Sequence, residues 1–252
     1  MITKELNKVK GIFKETHVSG VLLALVLIIV IASLVSPYFL TSYNLQAVIR
    51  SLAFVSIVAI GQACLLILGE LDLSIGAIAG LCGVLGGILM VNASVNPYLA
   101  FALCLLLGAG FGLINGILVT GLKLNSLVVT IGMSGVYGGI NLVISKGKAI
   151  TGIPKEIYFL GQGKFLGVPM PFVIMLVVLI VVMILTRYTP FGRYMYAIGN
   201  SSQAAEILGI KVRLVRTVTF MIVGLLAALA GMVMVARLGS SQPSIGLGSR
   251  LI

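Results

Sequence analysis

The chain has 252 residues, 60% hydrophobic and only 9% charged, with mean hydropathy +1.21 and a formal charge of +11. A soluble domain is about 45–50% apolar and about 25% charged, so this chain lacks the charge to cover a water-facing surface. Disorder, a disulfide scaffold and a nucleic-acid-binding domain are excluded on the same ground, and the surplus of basic over acidic residues reads as flanks of membrane spans.

Asp, Glu, Lys and Arg are absent from residues 16–49, 51–69, 73–122, 124–145, 165–186 and 217–236. A helix crosses a bilayer with roughly 17–25 residues, so every window holds a span and the longest holds two. The predicted fold is all-α, a polytopic transmembrane helical bundle. The first span covers 18–36 and stops at Ser36-Pro37, because the residue before proline is pushed out of helical geometry. A cleavable signal peptide fits less well, since no small-x-small site follows the apolar run. The second span covers 45–68. The third and fourth, 73–91 and 97–122, are split around Asn92 and Pro97. The fifth covers 126–144, the sixth 171–187 and the seventh 214–237.

Glycines recur four apart inside spans: Gly76 and Gly80, Gly83 and Gly87, Gly108, Gly112 and Gly116, Gly135 and Gly139. Such spacing lets two helix backbones approach closely; channels, transporters and structural proteins all use it. The three cysteines, Cys64, Cys82 and Cys104, lie in apolar windows and read as packing residues. His17 reads as interfacial.

Two connections are long, 146–170 and 188–213. With the N-terminus inside, ten basic residues fall on the cytoplasmic side: Lys4, Lys8, Lys10, Lys14, Lys123, Arg187, Arg193, Lys211, Arg213 and Arg216. Seven fall outside, which sets the N-terminus in the cytoplasm. The inner connection holds a short helix-forming stretch, 203–208. Ser201 or Ser202 is placed to cap it, and Gly209 to end it. It is either a docking element for a soluble partner or a solvated connector.

Catalytic chemistry is missing. Gly147-Lys148 and Gly163-Lys164 lack the Ser or Thr and the upstream glycine of a Walker A loop. One histidine allows neither a zinc cluster nor, at position 17, a hydrolytic triad. Uphill transport would draw on a partner or an ion gradient. Glu70 and Asp72 are the only acids near membrane depth, and intramembrane carboxylates face cavities or pair internally. Either they gate a pathway at a helix break, or Asp72 caps the third span by accepting from the N–H of Ser74 or Ile75. Asn115, Thr120, Asn125, Thr130, Ser134 and Asn141 either line a polar path or bond between helices.

These residues resemble, in order along nearly the whole chain, the permease subunits of bacterial ATP-binding-cassette (ABC) importers, in the branch carrying ribose and other simple sugars. Asp72-Leu73-Ser74 and Gly76 resemble the family's Gly-x-Asp-Leu-Ser-x-Gly segment, with Glu70 standing at the usual first glycine. Asn115-Gly116, Leu122-Lys123-Leu124-Asn125 and Val129-Thr130-Ile131-Gly132 resemble its next block, with Ser126 replacing a proline. Thr189-Pro190-Phe191-Gly192-Arg193, Tyr196-Ala197-Ile198-Gly199-Asn200, Ala204-Ala205 and Leu208-Gly209-Ile210 resemble its coupling region. Ala236-Arg237-Leu238, Ser241-Gln242-Pro243 and Gly246-Leu247-Gly248 resemble the segment after the seventh span.

The resemblance implies one transmembrane permease domain over 1–252, multi-pass in the bacterial inner membrane and not itself an enzyme. Gly199, Asn200, Ser201, Ala204, Ala205, Glu206, Leu208 and Gly209 would couple to a separate ABC ATPase subunit. That subunit, not this chain, would bind ATP and Mg. Glu70, Asp72, Ser74 and Asn115 are the pathway or helix-break candidates. Gln242 and Pro243, with the 146–170 loop, would face a periplasmic or lipid-anchored substrate-binding protein. A second permease, copy or paralogue, would complete the pore; no metal is expected. The family pattern runs to roughly ten spans, so seven read as a C-terminally shortened form, with Arg250 where an acid is usual. A transport-inactive truncated fragment, and a secondary transporter or channel using Glu70 and Asp72, are the alternatives.

Overall fold

The computed structural model describes residues 18–244, and the chain divides into two compact units, Met1–Val48 and Ile49–Ile252. His17, the four N-terminal lysines, Gly246 and Arg250 lie outside the described residues. In the first unit, helix α1 (Val18–Val35) is apolar on every side, with large side chains from Val21 to Val35 exposed. Such a helix suits hydrocarbon. It ends two residues before Pro37, as predicted. A tight turn leads into α2 (Ser42–Ile67), where Thr41 Oγ1 donates to Tyr38 O at 2.7 Å and Asn44 Nδ2 donates to Phe39 O at 2.8 Å.

The second unit continues α2 and adds α3 (Ile75–Gly87), drawn out by a π turn at Ile88–Asn92, then α4 (Pro97–Leu122) and α5 (Ser126–Ser145). Asn96 Oδ1 caps α4 by accepting from Tyr98 N at 3.0 Å, and Pro97 occupies the first turn, where its missing N–H costs nothing. Asn125 Oδ1 caps α5, accepting from Leu127 N at 2.8 Å. After the 146–169 loop, which holds the short α6 (Tyr158–Gln162), come α7 (Met170–Tyr188), α8 (Pro190–Asn200), α9 (Ser202–Ile207) and α10 (Val212–Leu238). Six of these helices, α2 to α5, α7 and α10, are long and apolar enough to cross a membrane, counting the π turn with α3; the shorter apolar stretch Gly20–Val35 accompanies them. The chain is a polytopic helical membrane protein.

Helix α10 is the axis of the second unit and packs along α4 and α3. A Cβ at Gly112 would collide with the Phe220 carbonyl, and one at Gly108 with the Gly224 carbonyl. Gly224 returns the relation against Gly108 and Gly112, so backbone meets backbone along this seam. Thr120 Oγ1 and Thr217 Oγ1 lie 3.1 Å apart across it. The Gly135 and Gly139 pair behaves differently: nothing lies within 4 Å of a Cβ at either position. Cys64, Cys82 and Cys104 are free and buried, consistent with packing.

Residues 93–96, 146–169 and 239–244 gather at one end of this unit. There β1 (Ile150–Thr151) pairs antiparallel with β4 (Ser240–Ser241), Ile150 opposite Ser241. Strands β2 (Lys164–Phe165) and β3 (Val168–Pro169) make a hairpin whose turn residues, Leu166 and Gly167, both have positive φ. Residues 68–74, 123–125 and 189–211 gather at the other end.

Candidate functional site

Residues 68–74 break the chain between α2 and α3, and every N–H in the break has a partner. Leu68 N donates to Leu65 O, Gly69 N to Leu66 O and Glu70 N to Leu65 O, at 2.9–3.0 Å. Leu71 N donates to Ser126 Oγ at 3.3 Å and Leu73 N to Thr130 Oγ1 at 3.1 Å. The Gln62 amide, oriented to satisfy both groups, donates to Asp72 O at 3.2 Å and accepts from Asp72 N at 3.3 Å. Ser74 N donates to Asp72 Oδ1 at 2.7 Å. Non-helical backbone among membrane helices persists only when protein or enclosed water satisfies it. Here side chains from α2 and α5 do so.

Asp72, Ser74 and Asn115 are all buried and form one network. Ser74 Oγ donates to Asp72 Oδ1 at 2.7 Å. Asn115 Nδ2 donates to Asp72 Oδ2 at 3.1 Å and to Ser74 Oγ at 2.7 Å. The Tyr137 hydroxyl lies 3.0 Å from both Asn115 Oδ1 and Phe111 O, between which it shares its proton. The predicted bond from Ser74 N to Asp72 is present, although α3 itself begins at Ile75 with Ser74 in the cap position. Burial pushes the Asp72 carboxyl up from its ordinary value, and the bonds from Ser74 and Asn115 oppose that rise. Asn115, Thr120 and Thr130 thus bond between elements, and Asn141 Nδ2 donates to Pro243 O at 3.0 Å.

Glu70 points away from this network. Its Oε1 lies 3.3 Å from Arg216 Nε on α10, with side chains 12% and 28% exposed. The pair lies in a cleft of about 420 Å³, lined also by Thr120, Lys123, Glu206 and Arg213. Among the described residues no group of three His, Cys, Asp or Glu is placed to hold a metal ion.

The 188–213 connection holds two helices where the sequence suggested one. Thr189 Oγ1 caps α8, accepting from Gly192 N at 3.3 Å. The missed helix is strongly two-sided: Met195 and Ile198 are buried while Arg193, Tyr194 and Tyr196 are exposed. Gly199 and Asn200 are therefore the end of α8. A Cβ at Gly199 would collide with the Ile67 carbonyl, so this glycine sets α8 against the end of α2, beside the break. Of the two capping candidates Ser201 serves, its Oγ accepting from Ala204 N at 3.2 Å. Gly209 ends α9 with φ +79°: its N–H donates to Glu206 O at 2.9 Å, and Ile210 N to Ala205 O at 3.0 Å.

The coupling candidates face two ways. Ala205 is buried in a cluster with Cys64, Leu68, Met195, Ile198, Val212 and Val215. Ala204, Glu206 and Leu208 are exposed. Ile207, which the sequence did not single out, is 86% exposed, and Leu208 77%. Gln242 and Pro243 lie at the opposite end with the 146–169 loop, half-buried.

The second unit is thus a bundle of spans around a satisfied helix break, with a capped pair of short helices packed beside it. Residues 44–252 match the family described as the branched-chain amino acid transport system permease component, and the chain belongs to that family. It is a permease subunit of the ABC importer type, and multi-pass in the membrane. It is 37% identical over 241 residues to the ribose import permease RbsC of Bacillus subtilis, covering 92% of this chain and 74% of that protein. It is 31% identical to the L-arabinose ABC transporter permease AraH of Azospirillum brasilense, covering 96% and 71%. It is 33% identical to the autoinducer 2 import permease LsrC of Photorhabdus laumondii, covering 92% and 70%. No solved structure matches the chain significantly.

Proposed function

We propose that this chain forms the translocation path for a ribose-like monosaccharide or related compound, powered by a separate ATPase that binds ATP and Mg. The chain itself performs no catalysis. The break end faces the cytoplasm, and the N-terminal segment, rich in lysine, is cytoplasmic by the same bias of basic residues. Lys123, Arg187, Arg193, Lys211, Arg213 and Arg216 gather at that end, as expected of a cytoplasmic face. Asp72, Ser74 and Asn115 hold the break at the inner mouth of the path. The opposite end, with Gln242 and Pro243, receives a periplasmic or lipid-anchored binding protein, and a second permease completes the pore.

The observation that carries this is the form of α9. Ala205 anchors it within the bundle, and Ile207 and Leu208 stand out into the aqueous side as an apolar pair beside Glu206. Exposed apolar side chains on a rigid, capped element are the usual core of a protein contact. A carboxylate-driven secondary transporter draws less support, because Asp72 is held by neutral donors and Glu70 by Arg216.

The test is uptake of labelled D-ribose, L-arabinose and D-allose into vesicles holding the permease with its cognate ATPase and binding protein. Uptake of at least one sugar requires internal ATP and the binding protein and survives a protonophore. Uptake without ATP, abolished by the protonophore, would establish the ion-driven alternative.

A further inference from the structure

Glu70 and Arg216 join the break to the first turns of α10. Glu70 belongs to the break, whose backbone is tied to α2 by Gln62 and to α5 by Ser126 and Thr130. Arg216 belongs to the first turns of α10, which follow directly on α9. The contact at 3.3 Å is ionic but poorly aligned: Arg216 Nε is shielded from solvent and makes no hydrogen bond. An arginine held this way keeps bonding capacity for a second acceptor. One stands in the same cleft. Glu206 of α9 lines it, exposed, and among the described residues it has no ion partner. The first turn of α10 carries no acid of its own, so cations there sit against the unfavourable end of the helix dipole. Glu70 and Glu206 are the acids among the cleft residues, and of the two only Glu70 is paired with a cation among the described residues.

We propose that Glu70 and Arg216 form a latch holding the break against the foot of α10, and that Glu206 on α9 is the competing carboxylate that releases it. Displacement of α9 by the ATPase carries Glu206 towards Arg216, the arginine changes partner, and the break is freed to move. The two partners are both positioning residues, acting through the break. This rests on the coupling reading above, and the two fail separately: coupling is read by ATPase capture, the latch by hydrolysis in complexes that have formed.

The experiment measures ATP hydrolysis, without binding protein or sugar, by the purified permease–ATPase complex. Glu70→Gln and Arg216→Gln each raise this uncoupled hydrolysis severalfold while the complex still forms. The charge swap Glu70→Arg with Arg216→Glu returns it to within twofold of the parent, which a merely structural defect would not do. Glu206→Gln changes the rate in the parent background but adds nothing once Glu70 is Gln. A swap no better than either single variant would overturn the latch. A Glu206→Gln effect of equal size in both backgrounds would overturn the competition. Single variants hydrolysing at the parent rate in intact complexes would overturn both.

Discussion

The α4–α10 seam and the break between α2 and α3 lock neighbouring parts of one unit by opposite means. The seam uses the absence of side chains: Gly108 and Gly112 let the α10 backbone into van der Waals contact, and close packing holds it with the Thr120–Thr217 hydroxyl contact at one end. The break uses side chains to replace a lost helix, with Gln62, Ser126, Thr130 and Asp72 supplying acceptors that α-helical carbonyls would have supplied. Dispersion at a close-packed seam has no alternative arrangement of similar energy. Hydrogen bonds and one misaligned ion pair can be exchanged for others. On the latch reading, the seam belongs to the fixed frame and the break to the part that moves.

The largest test of this contrast is Gly112→Leu. A side chain there meets the Phe220 backbone, which cannot give way, so the loss should exceed about 4 kcal/mol, the range of severe core disruption. Loss of monodisperse protein in detergent extracts is the readout; retained folded protein would remove the seam from the frame. A middle-sized effect is expected from Asn115→Ala, which removes the donor to Asp72 Oδ2 and Ser74 Oγ while the Tyr137 hydroxyl keeps Phe111 O. Unsatisfied buried polar groups cost roughly 1–3 kcal/mol, to be read as a lowered thermal midpoint of a still folded protein. The smallest belongs to Gly135→Ala. It repeats the glycine spacing but meets open space, so the change should stay within about 0.5 kcal/mol. A larger loss would place that face of α5 against a second chain.

The spans were legible because their signals are local. Charge-free windows mark where they lie, although six helices among the described residues reach spanning length where seven spans were expected, and Pro37 fixes a stop. The glycine repeats were legible as a type but not by outcome. Spacing on α4 says nothing until α10 supplies Gly224 and Ala228 opposite, whereas Gly135 and Gly139 carry the same spacing without such a partner. Asp72, Ser74 and Asn115 were each singled out, but their union depends on a contact 43 residues apart in sequence. The partner of Glu70 lay further still, on α10. Helix α8 was missed because its glycines and its polar, aromatic face read as loop; its buried stripe becomes plain only against α2. Ile207 passed unnoticed because nothing local distinguishes an exposed isoleucine from a buried one.

The central claim is that the end of the bundle carrying the break also carries the contact with the motor. Its most direct measurement is capture of the cognate ATPase by tagged permease bearing Ile207→Asp and Leu208→Asp. Both side chains are exposed, so the variant should keep the thermal midpoint of the parent. The account predicts that ATPase capture then falls at least tenfold. Capture at the parental level by the folded variant would contradict it.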